Sequence, residues 1–140
     1  IIPSVGASNC VNICSILHGW GCKYIAVFDY DKAGVETGGE FLRKSMGFQF
    51  GKQYCYLVDI SQKDIDSKTY KTDKFLIEDL VTHAQIDDFC TTSNVSSSLG
   101  KPLIAKLLSI DVESGKYILS DECTNNFKEF FERIFKYTAE

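Results

Sequence analysis

Apolar residues follow two rhythms along this chain. Cys10, Ile13, Cys14 and Leu17 recur at i, i+3, i+4 and i+7, one face of a helix. Ser8 or Asn9 suits its N-cap, and Gly19 and Gly21 mark its end. Tyr24 to Phe28 is a continuous apolar run rather than an alternating one, which predicts a short parallel strand covered on both faces. A second helix is expected from about Ala33 to Met46, with Phe41, Leu42 and Met46 packing inward. Gly38 and Gly39 would cost that helix about 1 kcal/mol each relative to alanine. Such a cost is tolerable where a helix must lie close against a sheet. The segment YCYLVD, 54–59, reads as another buried strand.

The opening segment IIPSVGASN looks like the end of a strand entering a turn, and the chain starts without Met, which suggests that material precedes it. Strand, helix, strand, helix, strand predicts a parallel sheet with right-handed crossovers. The second half reads as helical over Phe75 to Val81, Ile86 to Phe89, Pro102 to Leu108 and Asn125 to Tyr137. In the last segment Phe127, Phe130, Phe131, Ile134 and Phe135 form an apolar stripe suited to core packing or docking. The polar run TTSNVSSSLGK, 91–101, is the one linker-like stretch. The expected fold is therefore α/β. Residues 1–90 would form the core, and residues 91–140 a helical C-terminal extension packed on the same domain.

Composition narrows the function classes. A length of 140 residues suits one domain. A net charge of −4 argues against a free-standing nucleic-acid clamp with a basic face. It leaves open a nuclease whose metal ions supply positive charge locally. No apolar run reaches the ~20 residues of a membrane span, and no signal peptide opens the chain. The six cysteines contain no C-x-x-C pair, and His18 and His83 show no ligand spacing. Most of the cysteines lie in apolar runs, where Cys behaves as a small buried hydrophobe, so reduced core thiols in a cytoplasmic protein are expected. The histidines also lack a recognisable Ser or Cys partner, which leaves nucleophilic catalysis unsupported.

The chemistry concentrates in YIAVFDYDKAG, 24–34, where a hydrophobic strand runs into Asp29 and Asp31. In open α/β sheets functional groups gather beyond the carboxyl ends of strands. Two carboxylates so close repel each other unless a cation lies between them. Oxygen ligands at a strand end suit Mg²⁺ or Mn²⁺, which bind a few carboxylates and keep sites for phosphate and water. A solvated turn is the plainer explanation, because Asp, Lys and Gly all favour turns.

The order strand, D-x-D-x-x-G, helix, preceded by PSVGASN, resembles the TOPRIM domain of topoisomerases, primases and certain nucleases. The DKAG ending and FLIEDLV, 75–81, bring the resemblance closest to the C-terminal TOPRIM region of OLD-family ATP-dependent endonucleases. It is strong over residues 1–60 and loose beyond them. It implies a TOPRIM-like (Rossmann-like) parallel sheet flanked by helices, and Mg²⁺- or Mn²⁺-dependent phosphodiester hydrolysis of DNA. It further implies an N-terminal ATPase domain in the same chain and DNA as the partner of the full-length protein, with homodimerisation a further expectation. Asp29 and Asp31 match the motif directly. Glu78 looks like the later acidic ligand, and Lys101, in GKPLIA, like a basic residue that steadies phosphate charge. The family's first-strand glutamate has no counterpart here, so the isolated chain is expected to be a poor nuclease that self-associates.

Each assignment has a plainer rival. Glu78 and Asp79 equally suit the solvent face of a helix, and Lys101 before Pro102 suits a surface position near a helix start. Asp59 ends the second strand, where an Asp is usually a turn residue. Glu36 and Glu40 read as helix surface, with Lys44 four residues beyond Glu40. A TOPRIM primase or topoisomerase, or a non-catalytic α/β regulatory or interaction module, remains the alternative.

Overall fold

The computed structural model describes residue 2 and residues 6–139, with side chains as far as residue 137. The expected opening strand therefore falls on residues outside those described. The chain divides into two compact units, one of residues 1–77 and 130–140 and the other of residues 78–129.

In the first unit, helix α1 spans Ala7–Gly19 and buries Val11 and Cys14. It begins two or three residues earlier than a Ser8 or Asn9 cap would place it. Gly6 holds the cap position without a side-chain hydrogen bond, so Ser8 and Asn9 lie inside the helix. Its end matches expectation: Gly19 is the last helical residue, and Gly21 adopts the left-handed conformation at φ 69°. Strand β1, Ala26–Phe28, pairs in parallel with β2, Tyr54–Tyr56, in the register Ala26 to Tyr54, Val27 to Cys55 and Phe28 to Tyr56.

The crossover between the strands is a continuous helix in two geometries. Residues Ala33–Gly39 are π-helical, and α2 continues as an α-helix over Glu40–Met46. The paired glycines explain its closeness to the sheet. A Cβ on Gly38 would lie 2.5 Å from the Phe28 ring, and one on Gly39 would lie 2.3 Å from the Tyr56 hydroxyl. Leu42 is fully buried and Met46 packs against the core, but Phe41 is 47% exposed. Its neighbour Leu42 occupies the inward direction, and the helical turn carries Phe41 outward. Gly47, left-handed at φ 69°, ends α2 at the expected place.

The core of this unit is rich in tyrosine. Tyr30, Tyr54, Tyr56 and Tyr70 pack with Phe28, Val35, Leu42 and Phe48. Ring centroids of Tyr30 lie 5.7 Å from Tyr56 and 6.1 Å from Tyr70, both edge to face. Cys55, on the other side of β2, has its thiol pushed up to about 11 by burial. Arg133, from the closing helix, donates through Nη2 to the carbonyls of Tyr56, at 3.0 Å, and of Leu57. The segment after β2 holds α3, Gln62–Asp66, and a 3₁₀ turn, Thr69–Lys71. A capping box between Ser61 and Asp64 opens α3.

The second unit holds α4, His83–Thr92, and α5, Lys101–Glu113, around Phe89, Cys90, Ile104, Leu108 and Tyr117. Gln85 is the one buried polar residue among those described, and it is well satisfied. Its side chain donates to the Tyr117 hydroxyl and accepts from the Ser120 amide at 2.6 Å. The Tyr117 hydroxyl lies 2.5 Å from the Asp88 carboxylate. Helix α6, Asp121–Ala139, gives its first half to this unit and its second half to the first. On that second half Phe130 and Ile134 are half-buried, while Phe135 is exposed and stacks on Phe131 at 6.3 Å.

The helix expected over 75–81 does not form as one. Phe75 instead makes an antiparallel bridge with Tyr30, and a 3₁₀ turn covers Ile77–Leu80. The fold is mixed α/β, predominantly helical, with a small parallel sheet flanked by helices. Among the described residues no helix is long and apolar enough to cross a membrane. Cys14, Cys55, Cys90 and Cys123 are buried, in keeping with their apolar surroundings in the sequence.

Candidate functional site

Strand β1 ends at Phe28, so Asp29 lies at the carboxyl end of the parallel pair. Tyr30 continues in extended form: its amide donates to the Phe75 carbonyl at 2.8 Å, and Phe75 returns the bond at 3.0 Å. Tyr30 is 3% exposed, and its hydroxyl lies 2.6 Å from the Thr69 hydroxyl. Asp29 and Asp31 flank that anchored tyrosine in the chain.

Each carboxylate is held by a backbone amide. Asp29 Oδ1 accepts from the Ile77 N–H at 3.1 Å, and Asp31 Oδ1 from the Gly34 N–H at 2.7 Å. The Val35 amide donates to the Asp31 carbonyl at 2.9 Å and starts the π-helical turn. Gly34 also packs directly onto the strand end, where a Cβ would lie 2.0 Å from the Asp29 carbonyl oxygen. The spacing D-x-D-x-x-G is thus one structural unit. The glycine supplies an amide to one aspartate and a bare α-carbon to the other. The two amides also bring partial positive charge to the pair, which answers part of the repulsion problem.

Two hard oxygen donors at a strand end fit Mg²⁺ or Mn²⁺, since Mg²⁺ is commonly held by one or two carboxylates with water and phosphate completing the octahedron. Among the described residues no group of three His, Cys, Asp or Glu gathers to hold a metal ion. Asp29 and Asp31 are the carboxylates at the strand end that would hold such a cation.

Glu78 and Lys101 belong to the second unit and are paired with each other. Lys101 Nζ lies 2.7 Å from Glu78 Oε1, with the lysine side chain 70% exposed. Glu78 sits in the 3₁₀ turn Ile77–Leu80, rather than in a longer helix, and Lys101 is the first residue of α5, with Gly100 as its cap. Hydrogen bonding from Lys101 holds the Glu78 carboxyl below the usual glutamate range, and Glu78 in turn raises Lys101. A depressed carboxyl contributes stability above its unfolded pKa and loses it as pH falls through the folded value. The expected result is a Glu78 side-chain NMR titration midpoint below that of an ordinary glutamate, moving upward in Lys101→Met. An unmoved midpoint would show that the pair does not persist in solution.

Of the surface acids, Glu40 meets Lys44 at 2.9 Å as the i, i+4 spacing suggested. Glu36 accepts from the Tyr70 hydroxyl at 3.0 Å and so ties the crossover helix to the 69–71 turn. Tyr30, Thr69 and Phe75 support the carboxylate pair, although no motif in the sequence marks them. The available signal was the aromatic residue between the two aspartates, which a solvated turn would not need.

No protein-family model, curated protein or solved structure matches this chain.

Proposed function

We propose that the Asp29–Asp31 pair is a divalent-cation site for phosphodiester hydrolysis in DNA, in a TOPRIM-like α/β unit of the kind found in OLD-family endonucleases. The observation that carries the reading is the D-x-D-x-x-G unit at the carboxyl end of a parallel strand, with one oxygen of each carboxylate oriented by a backbone amide. A bound Mg²⁺ or Mn²⁺ would supply Lewis acidity toward a phosphoryl oxygen and toward water. The chain's own part is to orient and to hold. The Gly34 amide fixes one oxygen of Asp31 and the Ile77 amide one oxygen of Asp29, and Tyr30, locked to Phe75 and Thr69, holds the backbone between them. Glu78 and Lys101, expected as a further ligand and a stabiliser of phosphate charge, pair with each other in the second unit, and the reading is carried by Asp29 and Asp31.

Titration calorimetry with Mn²⁺ tests it. Wild type should bind weakly, Asp29→Asn and Asp31→Asn singly should weaken binding, and the double variant should give no heat beyond dilution. Tyr30→Phe keeps both carboxylates and should bind nearly as well. Identical heats for wild type and the double variant would overturn the reading and leave a solvated turn or a regulatory module.

A further inference from the structure

The residue between the two aspartates also anchors a basic loop. Residues 67–75, SKTYKTDKF, carry three lysines against one aspartate in a chain whose net charge is −4. Three contacts within the first unit hold this loop in place: the Tyr30–Phe75 backbone pair, the Tyr30–Thr69 hydroxyl contact at 2.6 Å, and the Tyr70–Glu36 hydrogen bond at 3.0 Å. The loop is thereby docked against the segment that carries Asp29 and Asp31.

Its lysines differ in their surroundings. The Glu40 carboxyl is lowered chiefly by the hydrogen bond from Lys44, and Lys68, held at φ 61°, adds to that effect. Lys71 and Lys74 are exposed, as is Lys32 beside Asp31. The ion pairs among the described residues involve Arg43, Lys44 and Lys101, and none involves Lys32, Lys71 or Lys74. Exposed lysines without ion pairs, on a loop bridged to the segment that carries the two aspartates, suit a polyanion in an otherwise acidic protein. Two aspartates alone would repel a phosphate, and lysines close by offset that repulsion and draw the strand in.

We infer that Lys71 and Lys74, with Lys32, form a phosphate-contacting surface that guides a DNA backbone to the Asp29–Asp31 end of the sheet. This assignment rests on the reading above and gives it a substrate-binding surface. The lysines act on phosphates as point charges and read no bases, so binding should be insensitive to sequence and steeply dependent on salt.

The test is fluorescence anisotropy of a labelled short DNA duplex in EDTA, repeated across a salt series. Lys71→Ala/Lys74→Ala should weaken binding by ~10-fold or more at low salt and should flatten the slope of log K against log salt by about two. The control is Lys23→Ala/Lys52→Ala, which removes the same charge at the amino ends of β1 and β2. It should leave affinity and slope unchanged, and Lys32→Ala should flatten the slope by about one. Equal losses in the two double variants, an unchanged slope in Lys71→Ala/Lys74→Ala, or no binding by wild type would each overturn the surface. The metal reading fails separately, through Mn²⁺ heats that do not depend on Asp29 and Asp31. A lysine-dependent salt slope without carboxylate-dependent heats would keep the surface and remove the metal site.

Discussion

Gly34→Ala should destabilise the first unit by about 3 kcal/mol or more, toward the upper end of what overpacking costs, whereas Gly19→Ala should be neutral or slightly stabilising. The added methyl at position 34 would meet the Asp29 carbonyl oxygen at 2.0 Å and the carbonyl carbon at 3.0 Å. Both are backbone atoms, so no rotamer change relieves the contact. Relief requires β1 and the π-helical turn to separate, which would break the 2.7 Å bond from Gly34 N–H to Asp31 and disturb the Phe28 pairing. Gly19 is also helical, but a Cβ there would have nothing within 4 Å, so its methyl enters open space. Gly39→Ala should fall between the two, because its obstacles are the Tyr54 and Tyr56 side chains rather than backbone. Urea unfolding followed by far-UV circular dichroism orders the three variants. A Gly34→Ala stability within about 0.5 kcal/mol of wild type would show that the turn does not pack on the strand end.

Arg133→Met should cost about 3 kcal/mol, the range expected when a charged donor to buried acceptors is removed. The Arg133 guanidinium donates to the carbonyls of Tyr56 and Leu57, on residues that are 1% and 5% exposed. Methionine roughly fills the stem's volume but offers those carbonyls no donor. The substitution therefore isolates the polar contribution from packing. Arg133 also lies over the Phe130 ring, 5.9 Å from its centroid, a contact that lysine would keep only in part. Arg133→Lys should therefore recover some of the loss, since one ammonium cannot reproduce the guanidinium's planar array of donors. Its Nε is buried without a hydrogen-bond partner, which limits the net gain from the native arginine. If Arg133→Met unfolds at the wild-type denaturant midpoint, the carbonyls must find other donors and the end of β2 does not depend on α6.

Some of this protein could be read locally. The buried strands at 26–28 and 54–56 follow from continuous apolar runs, and α1 from the four-residue recurrence of its apolar face. The ends of α1 and α2 follow from glycines that accept left-handed geometry. The paired Gly38 and Gly39 already implied a helix pressed against a sheet, because a helix interior carries that cost only where a side chain would not fit. Asp29 and Asp31 stood out for the same kind of reason: charge placed where an apolar strand ends needs a structural or chemical purpose.

Other features depend on residues far apart in sequence, and short-range patterns carry no information about them. Phe75 has the apolar neighbours of a helix, yet it bridges Tyr30 across 45 positions because the extended segment after β1 offered unpaired backbone groups. That bridge decides where Lys71 and Lys74 stand, and the Ile77 amide that follows it decides how Asp29 is oriented. The pairing of Glu78 with Lys101 likewise reflects the packing of the second unit rather than any spacing. Phe41 and Phe135 show the converse limit, since hydrophobicity alone did not say which apolar residues the core had room to cover. Local sequence sets backbone preference through sterics and burial through periodicity; tertiary packing alone decides which distant groups satisfy one another's hydrogen bonds and charges.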